Sequence, residues 1–104
     1  MSDMEIKVEV GYAYLKNFED FCKDVNGRRD AATGEVFSRE SGELLFSKRL
    51  IDPLMKAQRF ADEDGRCLCF VDAAGPTVAT MRLISIDDPT YYTVPVEAFV
   101  PTKK

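Results

Sequence analysis

The sequence predicts a single α+β domain over residues 1–104, with an antiparallel or mixed sheet of about five to six strands carrying two helices on one face. Three observations predict it. Cys67-Leu68-Cys69-Phe70-Val71 is an unbroken apolar run between Arg66 and Asp72, framed by Gly65 and Gly75, and reads as a strand buried on both faces. Ala73-Ala74-Gly75-Pro76 turns the chain, and residues 77–86 return it as a longer strand, making a hairpin at the sheet centre. Two other segments place apolar residues at helical rather than alternating spacing.

The elements follow in order. Met4, Ile6, Val8, Val10 and Tyr12 alternate with polar residues or glycine, the period of a strand with one face buried. Leu15, Phe18, Phe21, Cys22 and Val25 then fall within one helical arc. Asn17 serves as N-cap and Asn26-Gly27 as the stop, so a short helix is expected at about residues 17–26. Residues 28–33 read as a polar connection. A local echo follows, Thr33-Gly34-Glu35-Val36-Phe37-Ser38-Arg39 against Ser41-Gly42-Glu43-Leu44-Leu45-Phe46-Ser47-Lys48. It is too short for a solenoid and predicts two strands joined at Glu40-Ser41-Gly42.

Asp52-Pro53 has the chemistry of an N-cap and a first helical residue, so the second helix is expected to start there and end at Gly65. Asp87-Asp88-Pro89 is a turn. The last strand alternates through Tyr92, Val94, Val96, Ala98 and Val100. Pro95 has no N–H for a ladder and assigns this strand to a sheet edge. Residues 101–104 are a tail. The order β-α-β-β-α-β-β-β begins as a split-βαβ, ferredoxin-like order with two strands added. The expected core is Ile6, Val8, Val10, Phe18, Phe21, Leu54, Leu68, Phe70, Met81, Leu83, Val94 and Val96.

A net charge of −4 argues against a phosphate backbone as partner, which needs a basic footprint. The charge is uneven: residues 28–59 carry seven bases against five acids, whereas both flanking segments are acidic. No apolar run approaches the roughly 18–20 residues of a membrane span. Met1-Ser2-Asp3-Met4-Glu5 lacks the character of a signal peptide. Three cysteines are too few for a disulfide framework. Together these give the expectation of a reducing, cytoplasmic setting with no membrane association.

Histidine is absent, which removes imidazole-based triads, dyads and zinc sites. Cys67-x-Cys69 would place both side chains on one strand face with α-carbons about 6.6–6.8 Å apart, at the limit of disulfide geometry. The pair reads as core filling, with redox or metal chemistry as the alternative. Asp62-Glu63-Asp64-Gly65 fails as a calcium loop because positions 1 and 12 would be Phe60 and Val71. It reads instead as three acids opposing a helix dipole, either a solubilising turn or an acidic contact patch. Asp87-Asp88 with Tyr91-Tyr92 does not share one strand face, and no phosphate-binding or dinucleotide loop occurs.

The expected function is therefore a small, acidic, non-catalytic protein-binding module: an adaptor, inhibitor or assembly subunit without cofactor or metal. The partner is another protein, with a homodimer as a further expectation and no direct nucleic-acid contact. Its contact patch is assigned to the 34–49 hairpin and the following helix, where Phe37, Arg39, Phe46, Lys48, Arg49, Lys56 and Arg59 combine aromatics with cations as interface hot spots do. One alternative is an acidic nucleic-acid mimic that inhibits a DNA- or RNA-binding protein. The other is a small thiol-dependent enzyme.

Overall fold

The computed structural model describes residues 8–84, 87 and 89–100. Its strands are β1 (Gly11–Leu15), β2 (Gly27–Arg29), β3 (Val36–Ser38), β4 (Leu44–Phe46), β5 (Cys67–Ala74), β6 (Val78–Leu83) and β7 (Tyr92–Pro95). The helices are α1 (Phe18–Asp24) and α2 (Lys48–Gln58), with a 3-10 turn at Val96–Ala98. The strands divide between two antiparallel sheets, β1-β5-β6-β7 and β2-β3-β4. The expected 34–49 hairpin thus lies in the small sheet, not in one sheet with β1 and β5 as a ferredoxin-like order requires. Among the described residues no helix is long and apolar enough to cross a membrane.

The β5–β6 hairpin is the middle of the large sheet, with β1 on one side and β7 on the other. Cys67, Cys69 and Val71 point into the core with Met81 and Leu83 of β6, Val94 of β7 and Leu15 of β1. Leu68 and Phe70 point the other way and are only half-buried, so this strand has one fully buried face rather than two. The N-terminal alternation is also out of step with the expected one. Leu15 points inward, while Val10 and Tyr12 are 65% and 71% exposed. A one-residue slip in pairing exchanges the faces of a whole strand, and the Gly11↔Val71 to Leu15↔Cys67 register places Leu15 inside. Val8 and Phe18 pack partly against the core, and Ile6 lies outside the described residues.

Helix α1 forms as its sequence implies. Asn17 is extended and its Oδ1 accepts from the Asp20 N–H at 2.8 Å, while Asn26 takes a left-handed φ of 51° after the helix. Phe21 is fully buried, and Lys16 pairs with Asp24 across the helix. The polar connection at 28–33 instead contributes β2, whose three residues pair with β3.

Helix α2 starts before Asp52-Pro53, the expected boundary. Ser47 is the N-cap, although its side chain makes no cap hydrogen bond, and Pro53 sits inside the helix. Proline there removes one backbone donor and crowds the carbonyl of Arg49, which favours a start at 52. Burial overrides that preference: Ile51, Pro53, Leu54 and Ala57 all sink into the core, and Lys48 pairs with Asp52 at 2.7 Å one turn on. The helix ends at Gln58, whose side-chain oxygen accepts from the Phe18 N–H at 3.0 Å and ties the two helices together.

Gly65 therefore ends a separate turn, not the helix. Asp62 Oδ1 accepts from the Asp64 and Arg66 amides at 2.9 and 3.1 Å. The acids at 62–64 thus form a self-capped turn instead of opposing a helix dipole. Gly65 has φ +79°, and a Cβ there would stand 2.7 Å from the Asn17 amide, so conformation and space both require glycine.

At the C-terminal side, β7 is the terminal strand of the sheet, as Pro95 implies. The alternation does not continue to residue 100. The 3-10 turn brings Phe99 opposite Leu15, where Lys16 N–H donates to Ala98 O at 2.8 Å and Val100 N–H to Tyr14 O at 2.9 Å. The sheet curls so that its last segment covers the open edge of β1. Within the Asp87-Asp88-Pro89 turn Asp88 lies outside the described residues, as does the tail at 101–104.

Candidate functional site

The register of the large sheet lines up a row of side chains on its outer face. Tyr12 of β1 stands opposite Phe70 of β5, and Phe70 opposite Arg82 of β6. The Tyr12 and Phe70 rings meet edge to face, with centroids 5.3 Å apart at 85°. The Arg82 guanidinium lies over the Phe70 ring at 5.5 Å. Tyr14, 43% exposed, pairs with half-buried Leu68 in the next row. Both helices and the small sheet contribute their buried residues to the opposite, inner face. Apolar area scattered over a surface is ordinary; aromatics contiguous on one sheet face form a patch suited to association.

This face escapes a reading of the sequence because Tyr12-Ala13-Tyr14-Leu15 is apolar at every position. Alternation alone leaves either pair free to be the inner one. The usable signal is size: small residues, Gly11 and Ala13, sit where the strand meets the core, and large amphipathic tyrosines sit outside.

The residues assigned to the 34–49 patch separate in the fold. Phe46 turns toward the core, its ring 5.3 Å from that of Phe21. Phe37 is half-buried and lies in register between Arg28 and exposed Leu44. Arg39 leaves the hairpin toward α1 and donates from Nε to Gly27 O at 3.1 Å. Lys48 and Arg49 are exposed on the first turn of α2, Lys48 engaged with Asp52. Lys56 and Arg59 line a shallow depression of about 560 Å³ with Asp52, Met55 and Gln58. There the Lys56 ammonium donates to Tyr92 Oη at 2.7 Å. The fold thus brings Lys56 and Arg59 together and carries Arg39 to a different surface.

Cys22, Cys67 and Cys69 form no disulfide, and no group of three metal-ligating side chains forms among the described residues. Cys67 and Cys69 are buried, whereas Cys22 is half-exposed. Burial, and secondarily the neighbouring Cys67, push the Cys69 thiol up to about 12. A folded-state value above the unfolded one near 9 makes the sign definite. Below pH 9 the thiol is neutral in both states and its contribution is intact. Above that, the unfolded chain loses a proton that the folded chain keeps, so stability falls by about 1.4 kcal/mol per pH unit until about pH 12. Urea melts of wild type and Cys69→Ala should therefore converge by about 2 kcal/mol between pH 8 and about 10.5. An unchanged gap would mean that Cys69 is not shielded from ionisation. In the native protein at neutral pH, a thiol reagent should label Cys22 first.

Compared with protein-family models, curated proteins and solved structures, the chain matches none of them.

Proposed function

We propose that this chain is a non-catalytic protein-binding module that takes another protein on the outer face of its large sheet. The observation that carries the reading is the Tyr12–Phe70–Arg82 row with Tyr14 beside it. Tyrosine and arginine, with tryptophan, are enriched among the few residues that carry most of the binding energy at protein interfaces. Phe70 is held between Tyr12 and Arg82, so a partner orders little that is not already ordered, which lowers the entropic cost of association. The net charge of −4 disfavours a phosphate backbone as the occupant. The odd count of three cysteines, too few for a disulfide framework, supports a reducing, cytoplasmic setting.

The test places a photo-crosslinking amino acid at Tyr12 in the native host, with Glu63 in the exposed 62–65 turn as control position. The expected result is one discrete protein adduct from position 12 and none from 63. Arg82→Glu should weaken binding of that protein by at least about 2 kcal/mol, roughly thirtyfold. The reading is overturned by an adduct with nucleic acid, by an adduct only with a second copy of the chain, or by equal adducts from both positions.

A further inference from the structure

A second surface, separate from the outer sheet face, gathers cations in an acidic chain. A cleft of about 430 Å³ opens between α1 and the small sheet, and Lys23, Arg28, Arg29 and Arg39 line it against one carboxylate, Glu19. The arginines are not used up by internal pairing. Among the described residues the ion pairs are Lys16–Asp24 and Lys48–Asp52, and none involves this cluster. Arg29 Nε is buried without a hydrogen-bond partner, while its guanidinium lies over the Phe18 ring at 5.9 Å. Phe18 also lines the cleft, so the stack fixes the Arg29 guanidinium at the cleft wall. Arg39 is anchored at one corner, its Nε on Gly27 O at 3.1 Å, so its terminal amino groups remain available. Four cations held together with a single carboxylate among them repel one another until a further anion arrives.

We propose that this cleft binds a phosphomonoester, held by the guanidinium groups of Arg29 and Arg39 with Arg28 and Lys23 completing the charge. Several donors face one acid, which matches a dianion with three terminal oxygens better than a carboxylate, which a single guanidinium fork already satisfies. The cleft is small enough for a phosphorylated side chain or a mononucleotide. Duplex recognition needs a far more extended basic surface than this acidic chain provides.

Cys22 lines the same cleft and supplies the readout. Burial raises its thiol pKa, while Arg39 and then Arg29 pull it down, so the positive field of the cluster reaches the sulfur. An anion seated on those arginines would cover Cys22 and offset their pull, and both effects slow alkylation. The experiment measures the alkylation rate of Cys22 by iodoacetamide, read by mass spectrometry of the Cys22 peptide, on the full chain at fixed pH. Ionic strength is balanced with sodium chloride. The probes are inorganic phosphate, a phosphoserine peptide, its unphosphorylated twin and adenosine monophosphate.

The expected result is saturable protection by the phosphorylated probes. At ten times Kd the rate falls about tenfold, because only unliganded protein reacts. Tightest protection by the phosphopeptide assigns the phosphate to a protein, and tightest protection by the nucleotide assigns it to a small molecule. Arg39→Gln should raise the half-protecting concentration roughly tenfold or more, and Arg29→Gln likewise. Arg59→Gln, at the C-cap of α2 and outside the cleft, should leave it unchanged. Should Arg29→Gln fail to fold, Arg39→Gln alone decides, since Arg39 is exposed. The proposal is overturned if phosphate protects no more than sodium chloride does, if the unphosphorylated peptide protects equally, or if Arg59→Gln loses as much protection as Arg39→Gln.

Discussion

Phe21→Ala is expected to destabilise the protein by about 3–5 kcal/mol, the usual range for truncating a fully buried aromatic. Phe21 has no exposed surface and lies where α1 meets the small sheet, its ring 6.2 Å from Phe18 and 5.3 Å from Phe46. These contacts hold β2-β3-β4 to the rest of the molecule, because the small sheet shares no strand with the large one. Losing the ring leaves a cavity bounded by elements that cannot close on it without moving a helix. Phe70→Ala is the matched control: the same atoms are removed from a half-buried site on the outer face, so the loss should be clearly smaller. Urea denaturation of both variants at neutral pH measures the difference. Equal losses would mean that the outer face is as much a core as the inner one.

Phe99→Ala is expected to be comparably costly, again about 3–5 kcal/mol, for a different reason. Phe99 is 2% exposed and sits opposite Leu15, where the segment after the 3-10 turn pairs with β1. Its ring fills the point at which the curled sheet meets itself. The two flanking backbone hydrogen bonds, Lys16 to Ala98 and Val100 to Tyr14, depend on that seating. Beyond the stability loss, hydrogen exchange at the Lys16 and Val100 amides should accelerate more than at the β5–β6 amides, since closure fails locally before the hairpin does. Uniform acceleration across the sheet would show instead that Phe99 acts through the global core alone.

The candidate surfaces were partly legible in the sequence. The excess of bases at 28–59 is visible as composition, and it contains three of the four cations that line the cleft. The fourth, Lys23, comes from α1, and nothing in a linear string pairs it with Arg39. The outer sheet face was assigned to the interior, because the apolar run at 12–15 fits either register and only the pairing with β5 chooses. Phe46 and Arg39 were grouped by proximity along the chain. The twist of a short hairpin then sends the ring to Phe21 and the guanidinium to Gly27.

What the sequence determined by itself was local. Asn17 caps α1, Gly42 takes a left-handed turn, Pro95 marks an edge strand, and the apolar run at 67–71 pairs with the strand that follows it. Each of these rests on the conformational limits of one residue or on a contact a few residues away, so it needs no knowledge of distant chain. Tertiary structure alone decided the rest. It extended α2 back past Pro53 because burying Ile51 outweighs a misplaced proline, and it drew 28–29 into a strand because β3 offered an edge. It also carried Phe99 back to β1 and divided the seven strands of the described residues between two sheets. These outcomes are set by burial and by pairing between segments far apart in the chain. Such terms exceed local preferences of a few kcal/mol or less and become defined only once the whole core assembles.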